Sequence, residues 1–358
     1  MMAIVRDTSL PGLPGIFFER IQIMQETSNL RISLPSKGPL ADESLNFLSA
    51  CGLGVYKPNP RQYEAQMPAL PELRVLFQRP PDIVVSVRDG SVHFGITGLD
   101  VVGERRGNNG DVIVLHDALN FGGCSLRLAV PESWSEVNRV EHLGGLAAAL
   151  DRPLRIATKY PMLTSRFLND RQVAHTLIAA EGTLETAPAI GYADMISDIV
   201  SSGQTLRDNR LRALEDGMIL ESQAVLIANT RDLKTNPQAL KVARYLLEFF
   251  EAHLVASESL AIFANMRGDS PEAIAKLIFT RCNIRGLQGP TISRVVVQGK
   301  EQNWYAVNII VSRNQIFEAI MELRAIGGSG VVAVPVTYIF DEEPPRYKAM
   351  LKTLGLSQ

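Results

Sequence analysis

The chain has 358 residues, 46% hydrophobic and 21% charged, which is the balance of a folded globular protein and long enough for two to three domains at about 150 residues each. Its 36 Lys plus Arg against 38 Asp plus Glu leave a formal net charge of -2, which excludes a nucleic-acid or membrane surface working by bulk charge; any anion must be caught locally. Cys51, Cys124 and Cys282 fall in no disulfide-like or zinc-ligand spacing, and no apolar run is long enough to span a bilayer or to read as a secretory leader, so a cytoplasmic protein is expected.

Residues 1–29 precede the first regular pattern and read as an N-terminal extension. From Leu30 the order is strand (LRISL), breaker (PSKG) and helix (PLADESLNFLSACG), the helix closed by Gly52. Further strands are expected at 82–87 (DIVVSV), 93–97, 112–115, 125–130, 154–158, 195–200 and 224–228, mostly separated by helical segments. This is an α/β class chain with two α/β lobes around a cleft: 30–121 with 218–235 as one lobe, 122–217 as the other. Residues 236–258 carry Leu240, Ala243, Leu246, Leu247, Phe250 and Leu254 at helical spacing and form an amphipathic linker helix. The remainder, 259–358, reads LAIFANM, SPEAIAKLIFTRC, TISRVVVQG, WYAVNIIVS, RNQIFEAIMELRAIG and GVVAVPVTYIF, a ferredoxin-like βαββαβ order in which Ser270 caps the first helix and Pro271 opens it.

The richest stretch for chemistry is YADMISDIVSSGQTLRDNRL, 192–211. A strand delivers Asp198 into Ser201, Ser202, Gly203, Gln204 and Thr205, then a helix beginning near Leu206, so that backbone N–H groups, hydroxyls and a helix N-terminus converge as in a phosphate cradle. Asp194 and Asp198 are four apart, one face of a helix or a strand, and suit ribose hydroxyls or a phosphate-bound Mg2+. On spacing alone the same residues also describe a capped turn and two solvated carboxylates. Neither a Walker A loop nor a dinucleotide fingerprint is present. LPSKGPL places Lys37 and Gly38 after the first strand, FGITGLD puts Gly98 and Asp100 at a strand end, RIATKYP ends a strand with Lys159 and Tyr160, and EGTLETAP holds Glu181, Gly182 and Glu185. The five histidines show no metal-ligand spacing.

In their order, LRISLPSKG, RPPDIVVSVRDGSVHFGITGLD, NFGGCSLRLAVP, RIATKYP, EGTLETAP, ADMISDIVSSGQTLRDN and GPTIS resemble the ATP phosphoribosyltransferase family over about residues 30 to 340. The final βαββαβ unit is similar to the regulatory domain of the family's long form, and the two lobes to a periplasmic-binding-protein-like arrangement. The resemblance implies the first step of histidine biosynthesis: transfer of phosphoribosyl from 5-phosphoribosyl 1-diphosphate to N1 of ATP, with Mg2+ present and histidine as feedback inhibitor, in a homo-hexamer. By motif position it implies Ser201 to Thr205 on the 5-phosphate and Asp198 and Asp194 near the ribose, with Glu181, Gly182 and Lys159 lining that site. Lys37, Gly38, Gly98 and Asp100 fall on the ATP and diphosphate side, Asp100 as a candidate metal ligand, and Thr291, Ser293 and Gly328 at a histidine site. Many members read KGRL where this chain has KGPL, so Arg61, Arg79 and Arg105 are candidates for the charge that Pro39 lacks. Two alternatives remain at this point: a non-catalytic ligand-binding relative, and a phosphoribosyltransferase acting on another base.

Overall fold

The computed structural model describes residues 30–59, 61–180, 182–282, 289–298 and 303–356; the N-terminal extension and Glu181 lie outside the described residues. The first lobe is built from β1 (Leu30–Pro35), α1 (Pro39–Ala50), β2 (Glu64–Gln66), β3 (Leu73–Gln78), α2 (Pro80–Arg88), β4 (Phe94–Gly98), α3 (Leu99–Arg105) and β5 (Val112–His116). The second holds β6 (Cys124–Pro131), α4 (Glu141–Ala149), β7 (Leu154–Thr158), α5 (Pro161–Asn169), β8 (His175–Ala179), β9 (Met195–Val200), α6 (Gln204–Asp208) and β10 (Leu211–Ser222). The chain then returns through β11 (Ala224–Asn229), α7 (Thr230–Thr235) and α8 (Pro237–Ser257).

Strand order shows why a cleft forms. The first sheet runs β2-β3-β1-β4-β11-β5 and the second β10-β6-β9-β7-β8, so β11 re-enters between β4 and β5, antiparallel to both. The chain therefore crosses between lobes twice, and the two crossing strands, β6 and β10, pair antiparallel along their length as one hinge. Each sheet buries apolar side chains on both faces: Ile32, Leu34, Phe94 and Leu226 lie on one side of the first sheet with α8, and Ile83, Val84, Val87 and Ile227 on the other with α2.

Segment 82–87 is not a strand. It lies in α2, because Pro80 and Pro81 fit a helix's first turn, Asp82 favours its N-terminal dipole, and Ile83, Val84 and Val87 share one buried face. The β-branched run was overruled by its start signal. β10 escaped the sequence pattern because its register shifts between Ala213 and Met218, which interrupts the period of two. The helix after the phosphate loop begins at Gln204 and lasts only five residues.

The C-terminal domain contains β12 (Ser259–Arg267), α9 (Pro271–Arg281), β13 (Thr291–Arg294), β14 (Trp304–Ser312), α10 (Ile316–Ala325) and β15 (Ser329–Pro335), with antiparallel order β13-β14-β12-β15, which is ferredoxin-like. Leu260, Ile262, Ala264 and Met266 alternate toward the helices, and Phe263 faces away. The expected strand over 330–340 stops at Pro335, where the missing N–H ends the ladder. Beyond it the chain does not stay in this domain: Tyr338 donates to the Ala50 carbonyl (3.1 Å), and α11 (Pro345–Leu354) buries Tyr347, Met350 and Leu354 in the first lobe's core. The unit expected at 259–358 thus ends near Pro335, because its last helix carries an apolar face that only the first lobe covers.

Candidate active site

A cavity of about 980 Å³ lies between the lobes. The first lobe contributes Pro39, Arg79, Gly98, Asp100 and Arg105, and the second Lys159, Tyr160 and Ser201. The helices of the first lobe set this wall. Pro39 is the first residue of α1, Arg79 is the N-cap of α2 and Gly98 that of α3, so three helix N-termini lie on one side, although the first two amides of α3 are already bonded to the Gln223 carbonyl and Ser222 Oγ. At Gly98 a Cβ would collide with the Asp100 carboxylate, and only glycine leaves that space.

Asp100 is buried at the hinge. Its Oδ1 accepts from Ser222 Oγ (2.6 Å), its Oδ2 from the Tyr160 hydroxyl (2.6 Å), and its own N–H donates to Ser222 Oγ (3.0 Å). One carboxylate thereby joins α3, the end of a crossing strand and the opposite lobe. Burial first, and then the Asp100 charge, raises the Tyr160 phenol above its ordinary range, so it stays a donor. Four residues on, buried Glu104 accepts from the Met162 and Leu163 amides (2.9 and 3.0 Å), the first turn of α5 in the other lobe. A hydroxyl chain from Thr158 through Thr164 to Ser197 (3.4 and 2.8 Å) fixes the turn that carries Lys159 and Tyr160.

The second-lobe wall follows from strand register. Thr158 is aligned with Ser197 in the parallel β7–β9 pair, which sets Lys159 beside Asp198 at the strand ends. Asp198 is half-buried; desolvation raises its pKa and Glu185 adds to this, while the Ile199 amide (2.8 Å) and Lys159 oppose the rise. Beyond it Ser201, Ser202, Gln204 and Thr205 are exposed and Gly203 takes φ of 72°, the left-handed turn that points successive amides to one side. Arg207 lies over this loop, bonded to the Ser202 carbonyl (3.3 Å) and Gln204 Oε1 (2.9 Å). Because α6 has five residues, its dipole adds little and the loop's own donors carry the cradle.

The other expected residues divide. Lys37 and Gly38 are exposed on the β1–α1 turn beside Pro39, and Gly182 is exposed beyond the Ala179 and Ala180 that line the cavity. Arg79 and Arg105 reach the cavity and make no side-chain ion pair among the described residues; Arg61 is exposed and is not part of its lining. Asp194 is a correction. It precedes β9, at the end opposite the loop, and its buried carboxylate is taken up by Arg152 (2.6 and 2.9 Å), the Arg155 amide (2.7 Å) and the Arg155 guanidinium (2.9 Å), which makes it a structural anchor. Asp100 does not stand free as a metal ligand either, since each oxygen already holds a hydroxyl. Among the described residues no three His, Cys, Asp or Glu side chains converge on one metal position. Thr291 and Ser293 lie on β13 and Gly328 just before β15, opposite edges of the C-terminal sheet with two strands between, so one chain does not bring the three together.

Comparison with known proteins decides the assignment. Residues 79–249 match the family model for HisG, ATP phosphoribosyltransferase, and 256–338 match the HisG C-terminal domain. The chain is 46% identical to ATP phosphoribosyltransferase 2, chloroplastic, of Arabidopsis thaliana, over 91% of this chain and 81% of the relative. The chain belongs to the ATP phosphoribosyltransferase family. A second member, from Methanocaldococcus jannaschii, is 31% identical over 87% of this chain and 99% of its own length. Among solved structures, an ATP phosphoribosyltransferase (HisG:HisZ) complex from Thermotoga maritima aligns over 62% of this chain and 98% of that one, with 23% identity and a TM-score of 0.49. With its C-terminal domain the chain is a long-form ATP phosphoribosyltransferase, an enzyme of the first step of histidine biosynthesis. Glu104, Tyr160, Ser222 and Arg207 were not expected as site residues. Tyr160 and Arg207 stood within quoted motifs without a role; Glu104 and Ser222 meet their partners through the hinge geometry, which no local spacing reveals.

Proposed function

We propose that the cleft binds 5-phosphoribosyl 1-diphosphate on the second lobe and ATP on the first, forming the bond from adenine N1 to the ribose anomeric carbon as the carbon–oxygen bond to diphosphate breaks. The observation that supports this reading is the pairing, across one cavity, of Lys159 and Ser201, the first residue of the Ser201 to Thr205 loop, with a wall of three helix N-termini and two arginines that form no ion pair among the described residues. The task is to align two polyanions and to stabilise charge as diphosphate departs, and no covalent nucleophile is required. The loop amides and hydroxyls, with Arg207, hold the 5-phosphate; Asp198 accepts from ribose hydroxyls; Lys159 screens the diphosphate. Lys37, Gly38, Arg79, Arg105 and the Gly98–Asp100 turn form the ATP side, with Arg79 and Arg105 supplying the charge that Pro39 does not.

Where Mg2+ is bound, Asp198 would be its ligand from the chain, since no three carboxylates converge among the described residues, and the ion would supply screening of the charge between the substrates. Histidine inhibition through the C-terminal domain is part of the proposal. A site using both Thr291–Ser293 and Gly328 requires the two sheet edges of neighbouring copies, which accords with a homo-hexamer. Exposed Phe263 opposite Val332 on the uncovered sheet face also favours association. No described helix is long and apolar enough to cross a membrane. The three free cysteines fit a reducing compartment, either the cytoplasm or the plastid interior that the name of the plant relative carries.

The test is adduct formation from ATP, 5-phosphoribosyl 1-diphosphate and Mg2+, followed by absorbance with pyrophosphatase present, with and without histidine. Adduct that histidine suppresses supports both parts. Donor binding without adduct overturns the ATP reading in favour of another acceptor or a non-catalytic relative.

A further inference from the structure

A second cavity, of about 330 Å³, lies away from the cleft where three parts of the chain meet: the end of β5, the last turns of α8, and the segment that leads into α11. Two of its lining groups are buried and incompletely bonded. His116 is 1% exposed; its Nδ1 accepts from the Ala118 amide (3.3 Å), so the neutral ring carries its proton on Nε2, which has no partner among the described residues. Glu251 is 9% exposed; its Oε1 accepts from the Arg346 amide (3.0 Å), while Oε2 is buried and unpartnered among the described residues. Buried polar atoms are nearly always satisfied, so a donor and an acceptor left over in one cavity indicate something that occupies it.

Charge defines the occupant further. Glu248, Glu258 and Asp341 line the same cavity and form no ion pair among the described residues. The one cation in the lining, Arg346, is already shared between Asp117 (2.8 Å) and Glu251 (3.5 Å). Burial pushes the Glu251 carboxyl up, against the Arg346 amide and guanidinium, which pull it down, and the nearby Asp341 charge adds a smaller rise. Among the described residues no metal-holding cluster is present, and the carboxylates of the lining leave a net negative charge that favours a cationic occupant. The volume falls at the lower end for small-molecule pockets.

We propose that this cavity binds a small primary amine that also carries a hydroxyl or amide oxygen, the ammonium among Glu251, Glu258 and Asp341 and the oxygen on His116 Nε2. The site borders the cleft through the chain: residues 117–123 run from His116 to Gly122 and Gly123, which line the inter-lobe cavity. It is independent of the substrate assignment.

The full-length chain is titrated with 4-amino-1-butanol, butylamine, 1,4-butanediol, MgCl2 and CaCl2, read by ligand-observed NMR and thermal shift. The amino alcohol binds saturably, the diol at least about tenfold more weakly, and the exposed pair Glu258→Gln with Asp341→Asn weakens the amino alcohol by about fivefold or more without changing the fold. His116→Phe removes the advantage of the amino alcohol over butylamine. The proposal is overturned if the amine shows no saturable binding, if the diol binds equally well, if the double variant binds unchanged, or if Mg2+ or Ca2+ saturates the same carboxylates in place of the amine.

Discussion

Glu104 is the residue whose removal tests how the lobes are held together. It belongs to α3 in the first lobe, yet both its oxygens serve the first turn of α5 in the second, a turn that has no side-chain cap of its own. Gly103 beside it lets the helices approach, since a Cβ there would meet Leu163 at 3.3 Å. Hydrogen bonds to a charged group are worth about 1.5 to 3 kcal/mol each and an N-cap about 1, and these overlap, so Glu104→Ala removes about 2 kcal/mol from the closed arrangement. When the lobes part, water satisfies the freed amides, so the loss falls on the open-closed equilibrium and shifts it about thirtyfold toward open. Small-angle scattering then shows a larger radius of gyration without substrates. KM rises for both substrates while kcat at saturation is largely retained, and Glu104→Gln, which keeps one acceptor oxygen, lies between. An unchanged radius and unchanged KM, with only a lower thermal midpoint, refute the clasp and leave Glu104 as an ordinary helix cap.

Thr205→Ala weakens 5-phosphoribosyl 1-diphosphate binding by about 1 to 3 kcal/mol in calorimetric titration with an unchanged circular dichroism spectrum; unaltered donor affinity removes the loop from the site. The raised pKa of Asp198 means that its charge is lost at a higher pH than an ordinary carboxylate's, so kcat/KM falls on the acid side, and Asp198→Asn abolishes that limb together with most of the activity. Arg152, followed by Arg155, holds Asp194 well below the usual carboxylate range. Its stabilising contribution is therefore present above the unfolded-state pKa of about 3.8 and disappears as pH falls through the lower folded value. Asp194→Asn lowers the thermal midpoint at neutral pH, the difference from the parent shrinks at strongly acid pH, and donor affinity stays unchanged.

Both the α/β lobes and the ferredoxin-like domain were legible because most strands keep an uninterrupted pattern, as in Ala224–Asn229, buried along its whole length. Strands β2, β3 and β8 were not expected, and two further misreadings have local causes. Pro80 and Pro81 turned a β-branched run into a helix, and the bulge in β10 hid a twelve-residue strand. For the site, the phosphate loop was visible because glycine and hydroxyl residues are contiguous there. The spacing of Asp194 and Asp198 was compatible with one shared face, but a strand of this length separates its two ends, and the arginines that claim Asp194 approach from β7 and the segment before it. Glu104 and Ser222 carried no local signal, since both act on groups that the double crossing brings near from distant sequence.

The late position of α11 has a consequence during synthesis. The first lobe begins at Leu30, waits for β11 to complete its sheet, and receives the last part of its core only from Tyr347, Met350 and Leu354. The second lobe is continuous between Cys124 and Ser222 and is free to fold while the ribosome is still adding residues. A chain that terminates early therefore keeps an uncovered apolar seam on its oldest segment, and quality control has a signal that a product is unfinished even when most of its domains are in place.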